Sequence, residues 1–482
     1  MLESNMNNRI SRRTLLQLGA TAAAGLALPR WSRADDTQEY RLTARPTQIP
    51  LVGTGYPETT VWAYNGQVPG PELRLRQGQR LRVLAHNALA QSTTVHWHGL
   101  RIPNAMDGVP YLTQEPIQPG AGYVYEFDLP DAGTFWYHPH QNSAEQVGRG
   151  LYGALIVEEP EPIQVDRELV WVLDDWRLQQ DASISDNFGA MHDLTHAGRI
   201  GNVASINGQL PESMTVRAGE RIRLRLINAA NARTFALLFE GHTPQIIALD
   251  GQPVEPHAPA ENRIVLGAAM RADVIIDMQG QPGETFRVID TFYQEQAFRL
   301  ITLNYSPQAP LREHPLDAPI RLPANPLPEP DLRTAERHAI MFSGGAMGGM
   351  QGAMFNGEYT DIRTLVQQHG VVWAINGIAH PGMHHSTPAE PLLTLQKDRS
   401  YILHLHNETV FWHPMHLHGH SFRVLSHEGQ TVPHQPWRDT VLIPPREHIE
   451  VALVADNPGD WMFHCHILEH QQAGMMAVLR VA

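Results

Sequence analysis

Cys465, the chain's single cysteine, stands between two histidines in His464-Cys465-His466. A thiolate is a soft metal ligand, and imidazole suits copper, zinc and iron alike. On a strand, neighbouring side chains point to opposite faces. The two histidines would therefore face one metal site and the sulfur another. One tripeptide would join two metal sites through covalent bonds, an arrangement suited to electron transfer.

Three more His-x-His pairs accompany it: His96-Trp97-His98-Gly99, His138-Pro139-His140 and His416-Leu417-His418-Gly419. A lone pair of this kind on a strand is usually structural. Four pairs are different, because their eight neutral imidazoles suffice for about three metal ions at two or three nitrogens each. Around the cysteine lie His413, three residues before His416, and His470 and Met475, five and ten residues after Cys465. Two imidazoles, one thiolate and one weak thioether make a blue-copper electron-transfer site.

The elements that position these residues come in three similar segments. Asn65-Gly66 leads to Leu81-Arg82-Val83 and His86-Asn87, Asn207-Gly208 to Ile222-Arg223-Leu224 and Ile227-Asn228, and Asn376-Gly377 to Tyr401-Ile402-Leu403 and His406-Asn407. A Gly turn followed by alternating apolar and polar strands is the pattern of antiparallel sandwich sheets. Three copies predict an all-β chain of three related sandwich domains. The eight prolines from Pro307 to Pro330 cannot sit in central strands and read as a linker. The domains are placed at 35–160, 161–306 and 334–482, with a linker at 307–333. Nine residues beyond Asn87 and Asn407 stand His96 and His416, whereas nine beyond Asn228 stands Leu237. The first and third domains thus carry ligands, and the middle one reads as a spacer.

A formal charge of −14 argues against nucleic acid, which calls for a basic face. Ser11-Arg12-Arg13-Thr14-Leu15-Leu16, an apolar stretch to Leu28 and Ser32-Arg33-Ala34 read as a twin-arginine signal peptide over 1–34. That reading predicts the twin-arginine export machinery as a partner and a periplasmic protein. Cleavage after Ala34 removes five arginines and one glutamate, which takes the formal charge to −18. No other apolar run is long enough to span a bilayer.

Together the four His segments resemble the signature of the multicopper oxidases, specifically their bacterial three-domain, laccase-like and copper-tolerance branch. The resemblance covers the whole chain after the leader and implies three cupredoxin-like Greek-key β-sandwiches and four copper ions. Carried over, His413, Cys465, His470 and Met475 match the type 1 copper, the Cys-plus-ten spacing favouring Met475 over Met476. His96 and His416 match the type 2 copper. His98, His138, His140, His418, His464 and His466 match the type 3 pair. The implied reaction takes single electrons from a reducing substrate at the type 1 copper, passes them through Cys465, His464 and His466, and reduces dioxygen to water. Asp107, nine residues after His98, matches the family's acidic residue near the cluster. Bacterial relatives usually carry a proton-relaying glutamate six residues after the cysteine, where this chain has Gln471.

The donor is less legible. Met347, Met350 and Met354 lie in a Gly-rich loop, and His380, Met383, His384 and His385 follow Asn376-Gly377. Thioethers and imidazoles bind Cu(I) well, which suggests a cuprous oxidase. Against it, cuprous oxidases of the family carry Asp and Met four and two residues before the first ligand of the His-Pro motif, and those positions here are Thr409 and Phe411. Phe411 and Trp412 favour a laccase-type oxidase of phenols and aromatic amines. A non-catalytic copper-binding or envelope-assembly protein on the same fold is a third reading, disfavoured because no ligand position has been lost.

Overall fold

The computed structural model describes residues 37–482, apart from Thr54, 313–315, 317–319 and 383–389. The leader pattern, and Met383, His384 and His385, lie outside the described residues. Gln38–Ala482 forms one compact unit, and no described helix is long and apolar enough to cross a membrane.

The all-β expectation holds: the sheets form three pairs along the chain. In the first, Thr37–Ile49, Thr59–Tyr64, Arg80–Asn87 and Gly122–Asp128 make one sheet. Gly70–Arg76, His96–His98, Gly133–His138 and Gly153–Glu158 make the other. The second pair, six strands and five, runs from Arg167 to Tyr305, and the third, seven and five, from Glu336 to Val481. Alternation explains the packing. In Arg80–Asn87, Leu81, Val83 and Ala85 enter the core while the residues between them face outward.

Pairing is not wholly antiparallel, as the sequence pattern had implied. Gly70–Arg76 runs parallel to Gly153–Glu158, Arg167–Trp176 to Arg221–Asn228, and Glu336–Gly344 to Ser400–Asn407. Alternation fixes which side of a strand is buried but carries no information on the direction of its neighbour.

The three Asn-Gly turns are built alike. Asn65, Asn207 and Asn376 have φ of 56°, 52° and 49°, each followed by a glycine with positive φ, a conformation that asparagine and glycine tolerate best. Each asparagine Oδ1 accepts a backbone N–H, from Thr43, Val172 and Met341. Each Nδ2 donates to the carbonyl two residues earlier, of Arg41, Val170 and Ala339. Buried Asn87, Asn228 and Asn407 match in the same way, with Oδ1 accepting from the N–H two residues on, at Leu89, Ala230 and Thr409. These asparagines fix the entrance to the loops that lead to His96–His98, Phe235–Phe239 and His413–Leu417.

Among its described residues the 307–333 segment forms no helix or strand. It is clipped down instead: Arg312 pairs with Asp166, Asn325 bonds both backbone groups of Ala132, and Arg423 reaches Glu329.

Candidate metal centres

Register brings the first histidines together. His96 stands opposite His138 where His96–His98 pairs with Gly133–His138. His413–Leu417 pairs with Gly459–Cys465 so that His416 opposes His464 and Met415 opposes Cys465. The histidines of the first and third sandwiches interleave across the interface: His96 stacks on His418 at 4.0 Å between ring centroids, and His98 on His416 at 3.8 Å. All eight imidazoles of the His-x-His pairs are buried.

Their donor atoms converge in overlapping groups: His96, His98 and His416; His96, His138 and His140; His98, His138 and His466; and His140, His418 and His464. Within each group the donor atoms lie within 4.8 Å of one another. Many of the ring nitrogens lack a protein partner: His96 Nε2, His98 Nδ1, His138 Nε2, His416 Nε2 and both nitrogens of His140 and His466, while His418 Nε2 and His464 Nε2 meet each other at 3.1 Å. A buried polar atom left unpaired costs about 1–3 kcal/mol, so a cavity lined with such lone pairs fits metal ions. Burial, and then the neighbouring imidazoles, push His140, His418 and His98 well below the usual histidine range. Burial likewise dominates at His138, His464 and His466. Neutral rings keep the lone pairs that metals need.

In His96, His98, His138, His416, His418 and His464 the other ring nitrogen is held by the protein, which sets the tautomer. His96 Nδ1 lies 2.7 Å from the Asp107 carbonyl, and His418 Nδ1 lies 2.9 Å from Asp107 Oδ2. His138 Nδ1 and His464 Nδ1 reach the Pro139 and Cys465 carbonyls. Gly108 has φ of 81°, and a Cβ there would collide with the Val95 carbonyl. The Asp107-Gly108 turn therefore lies tight against the backbone before His96. Asp439, which no motif marked, does similar work on the other side: its Oδ1 is 3.2 Å from His98 Nε2 and its carbonyl is 2.9 Å from His416 Nδ1. Burial alone would raise the Asp439 carboxyl, but the Arg271 guanidinium holds it well below the usual carboxylate range.

Cys465 points away from this cavity, as alternation predicted. Its Sγ lies 3.4 Å from His413 Nδ1 and 3.6 Å from His470 Nδ1, which are 3.2 Å from each other. A point equidistant from the three atoms is about 2.0 Å from each, close to a metal–nitrogen bond length. Burial pushes the His470 imidazole down to about 3 and drives the Cys465 thiol up, so without a metal the sulfur stays protonated. Met475 is fully buried in the same core, its carbonyl accepting from Cys465 N and its N–H donating to the His470 carbonyl. His413 Nε2 meets Thr409 Oγ1 at 2.8 Å, and His470 Nε2 meets the His196 carbonyl at 2.5 Å. Trp373, also unmarked by any motif, lies edge-on to His413 at 5.2 Å and over His470 at 4.3 Å. The middle sandwich has apolar core, Leu237 and Phe239, where the outer two have His96 and His98, and His416 and His418.

Around this second site, Phe411 is half-buried, Trp412 is 37% exposed and Met347 is 78% exposed. The Met347 loop is tied down through Ala346 N–H to the Thr195 carbonyl, one residue from His196.

Comparison with known proteins agrees with the geometry. Multicopper oxidase family profiles match residues 47–162, 167–305 and 360–482. Multicopper oxidase MmcO of Mycobacterium tuberculosis is 30% identical over 95% of this chain and 90% of its own length. A multi-copper oxidase structure from Pseudomonas thermotolerans superposes with a TM-score of 0.80 at 37% identity, covering 92% of this chain and 99% of that one. A Campylobacter jejuni multicopper oxidase described as a metallo-oxidase superposes at 0.74 with 26% identity, covering 94% and 93%. With three cupredoxin-like β-sandwiches and two convergent histidine sites, the chain belongs to the multicopper oxidase family of copper-dependent oxidoreductases.

Proposed function

We propose that the chain is a laccase-type oxidase of phenols and aromatic amines, with one type 1, one type 2 and a type 3 pair of copper ions. The carrying observation is the Cys465, His413 and His470 triangle, whose cysteine is flanked by two ligands of the neighbouring cavity. When bound, copper supplies the one-electron redox chemistry that couples four oxidations of the donor to reduction of dioxygen to water.

The chain's own residues do the rest. Cys465, His413, His470 and Met475 hold the type 1 ion, and burial keeps water from it. His96 and His416 hold the type 2 ion, and His98, His138, His140, His418, His464 and His466 the type 3 pair. His464 and His466 carry the covalent link from Cys465 to the cluster. Asp107 orients His418 through Oδ2 and, with Oδ1 3.2 Å from His96 Nδ1, relays protons for oxygen reduction. Sandwich domains at 35–160, 161–306 and 334–482, a twin-arginine leader over 1–34 and a periplasmic location complete the reading.

Aromatic donors are favoured because Thr409 caps His413 with a hydroxyl, and Phe411 and Trp412 flank it. Cuprous oxidation is the second reading, supported by exposed Met347 and Met354 and by the metallo-oxidase description of the Campylobacter relative. Oxygen uptake by the copper-loaded protein separates them, measured once with a phenolic donor and once with Cu(I) in a redox-inert buffer. Faster uptake with the phenol is expected; uptake with Cu(I) alone overturns the laccase reading, and none with either overturns both.

A further inference from the structure

A further His-x-His pair, His404-Leu405-His406, lies in the third sandwich and faces away from every site described above. On Ser400–Asn407, Leu403 and Leu405 enter the core, whereas His404 and His406 point to the opposite, half-exposed face. The neighbouring strand His448–Val454 runs antiparallel, with His448 opposite His406 and Glu450 opposite His404. His448 thus joins the pair on one open sheet face.

We propose that His404, His406 and His448 form a surface site for one divalent transition-metal ion, separate from the buried copper centres. The distances are those of co-ligands. His404 Nδ1 and His406 Nε2 are 2.8 Å apart, the separation of two cis ligands with bonds of about 2.0 Å. The ring centroids of the trio are 4.1, 5.0 and 5.4 Å apart, and those of His413 and His470 are 5.0 Å apart.

A second observation concerns His448 alone. Its Nδ1 lies 2.8 Å from Glu428 Oε1, which also accepts the His448 backbone N–H at 2.7 Å. A carboxylate on one ring nitrogen fixes the tautomer and leaves Nε2 as a lone pair, the usual outer partner of a metal-bound histidine. Glu450, opposite His404 on the neighbouring strand, is already engaged by Arg337 and Ser426, so the donors are the three imidazoles. Such a set favours Cu2+, Ni2+ and Zn2+ over Mg2+ or Ca2+. The face is also linked to the type 1 region: Asn407 follows His406, and its Oδ1 accepts from Thr409 Oγ1, which meets His413 Nε2.

The test is equilibrium dialysis of the tag-free, copper-loaded protein against micromolar Zn2+ at pH 7.5, with metals counted by mass spectrometry. One zinc per chain beyond the resident copper is expected. That zinc should be lost in the variants His406→Gln and His448→Gln, which keep the blue absorption and thermal midpoint of the parent. Glu428→Gln should weaken binding by 10- to 100-fold. Absence of an additional zinc, or an additional zinc that persists in both histidine variants, overturns the proposal. An imidazole–imidazole hydrogen bond between His404 and His406 would then account for their contact.

Discussion

Arg271 and Asp439 form a paired, fully buried contact, with Nη1 to Oδ1 at 2.8 Å and Nη2 to Oδ2 at 2.6 Å. Arg271 belongs to the middle sandwich and Asp439 to the third, and the same carboxylate holds His98 of the first. One ion pair therefore sets the meeting of all three sandwiches at the imidazole cavity. The middle sandwich adds no residue to the four donor groups at the cavity but supplies the cation that keeps Asp439 ionised.

Breaking this pair from one side should be costly. Arg271→Ala leaves Asp439 buried without its partner, a change worth about 3–5 kcal/mol. A lower thermal midpoint is expected, together with a loss of copper centred on His98 and His416. Calorimetry and metal counting on the loaded variant check this, and an unchanged midpoint would show that Asp439 relaxes to water.

Gly99 tests the same contact by steric means. It follows His98 with φ of 87°, and a Cβ there would run into both the Arg271 guanidinium and Asp439 Oδ2. Gly99→Ala should therefore reproduce the copper loss of Arg271→Ala without removing any charge. Full copper occupancy in Gly99→Ala would place the ion pair outside the causes of metal retention.

Cys465→Ser separates the two metal sites. The sulfur touches only the His413 and His470 site, and the eight cavity imidazoles remain. Loss of one copper and of the blue absorption is expected, with cluster copper largely retained and phenol oxidation lost. Retained turnover would show that electrons reach the cluster without the thiolate.

Removing the metal should make stability strongly dependent on pH. Burial lowers the folded-state proton affinity of His98, His138, His140, His413, His416, His418, His464 and His466, and that of His470 to about 3, against roughly 6.5 in the unfolded chain. Below that unfolded value the unfolded state binds more protons, so stability present at neutral pH is lost as pH falls. For His470 alone the loss from pH 8 to pH 5 is about 2 kcal/mol, and the other buried imidazoles add to it. Urea unfolding of chelated protein across this range measures the slope; a flat profile would mean that the cavity admits water.

The convergence of the histidines and Cys465 was legible because thiolate and imidazole chemistry is carried by residue type and because alternation assigns faces. Cys465 and its flanking histidines part to two sites as period-2 geometry requires. The asparagine positions that bracket each segment were legible as spacing, and their matching hydrogen bonds give that spacing a cause. Asp439, Arg271 and Trp373 were not legible. Each works through a contact between distant segments, 168 residues apart for Arg271 and Asp439, and neither a buried aspartate nor a tryptophan has a local pattern that marks such a partner. Parallel pairing of strands was missed for the same reason, since register across a crossover is a property of the assembled sheet.

Gln471 offers the sharpest test of proton supply. It is buried in the short helix Leu468–Gln472, just beyond His466, and its Oε1 has no hydrogen-bond partner. Glu469 in the same helix is no substitute, because its oxygens accept from Asn231 Nδ2 at 3.0 Å and the Arg199 N–H at 3.1 Å. An amide at position 471 cannot release and recover a proton as a carboxyl does. Oxygen reduction consumes protons at each turnover, so Gln471→Glu should raise kcat several-fold above neutral pH, where bulk protons are scarce, and leave the donor KM unchanged. The comparison is a kcat profile from pH 5 to 9 with one phenolic donor. Superimposable profiles for parent and variant would locate the proton path at Asp107 alone, and Asp107→Asn should then reduce kcat at every pH.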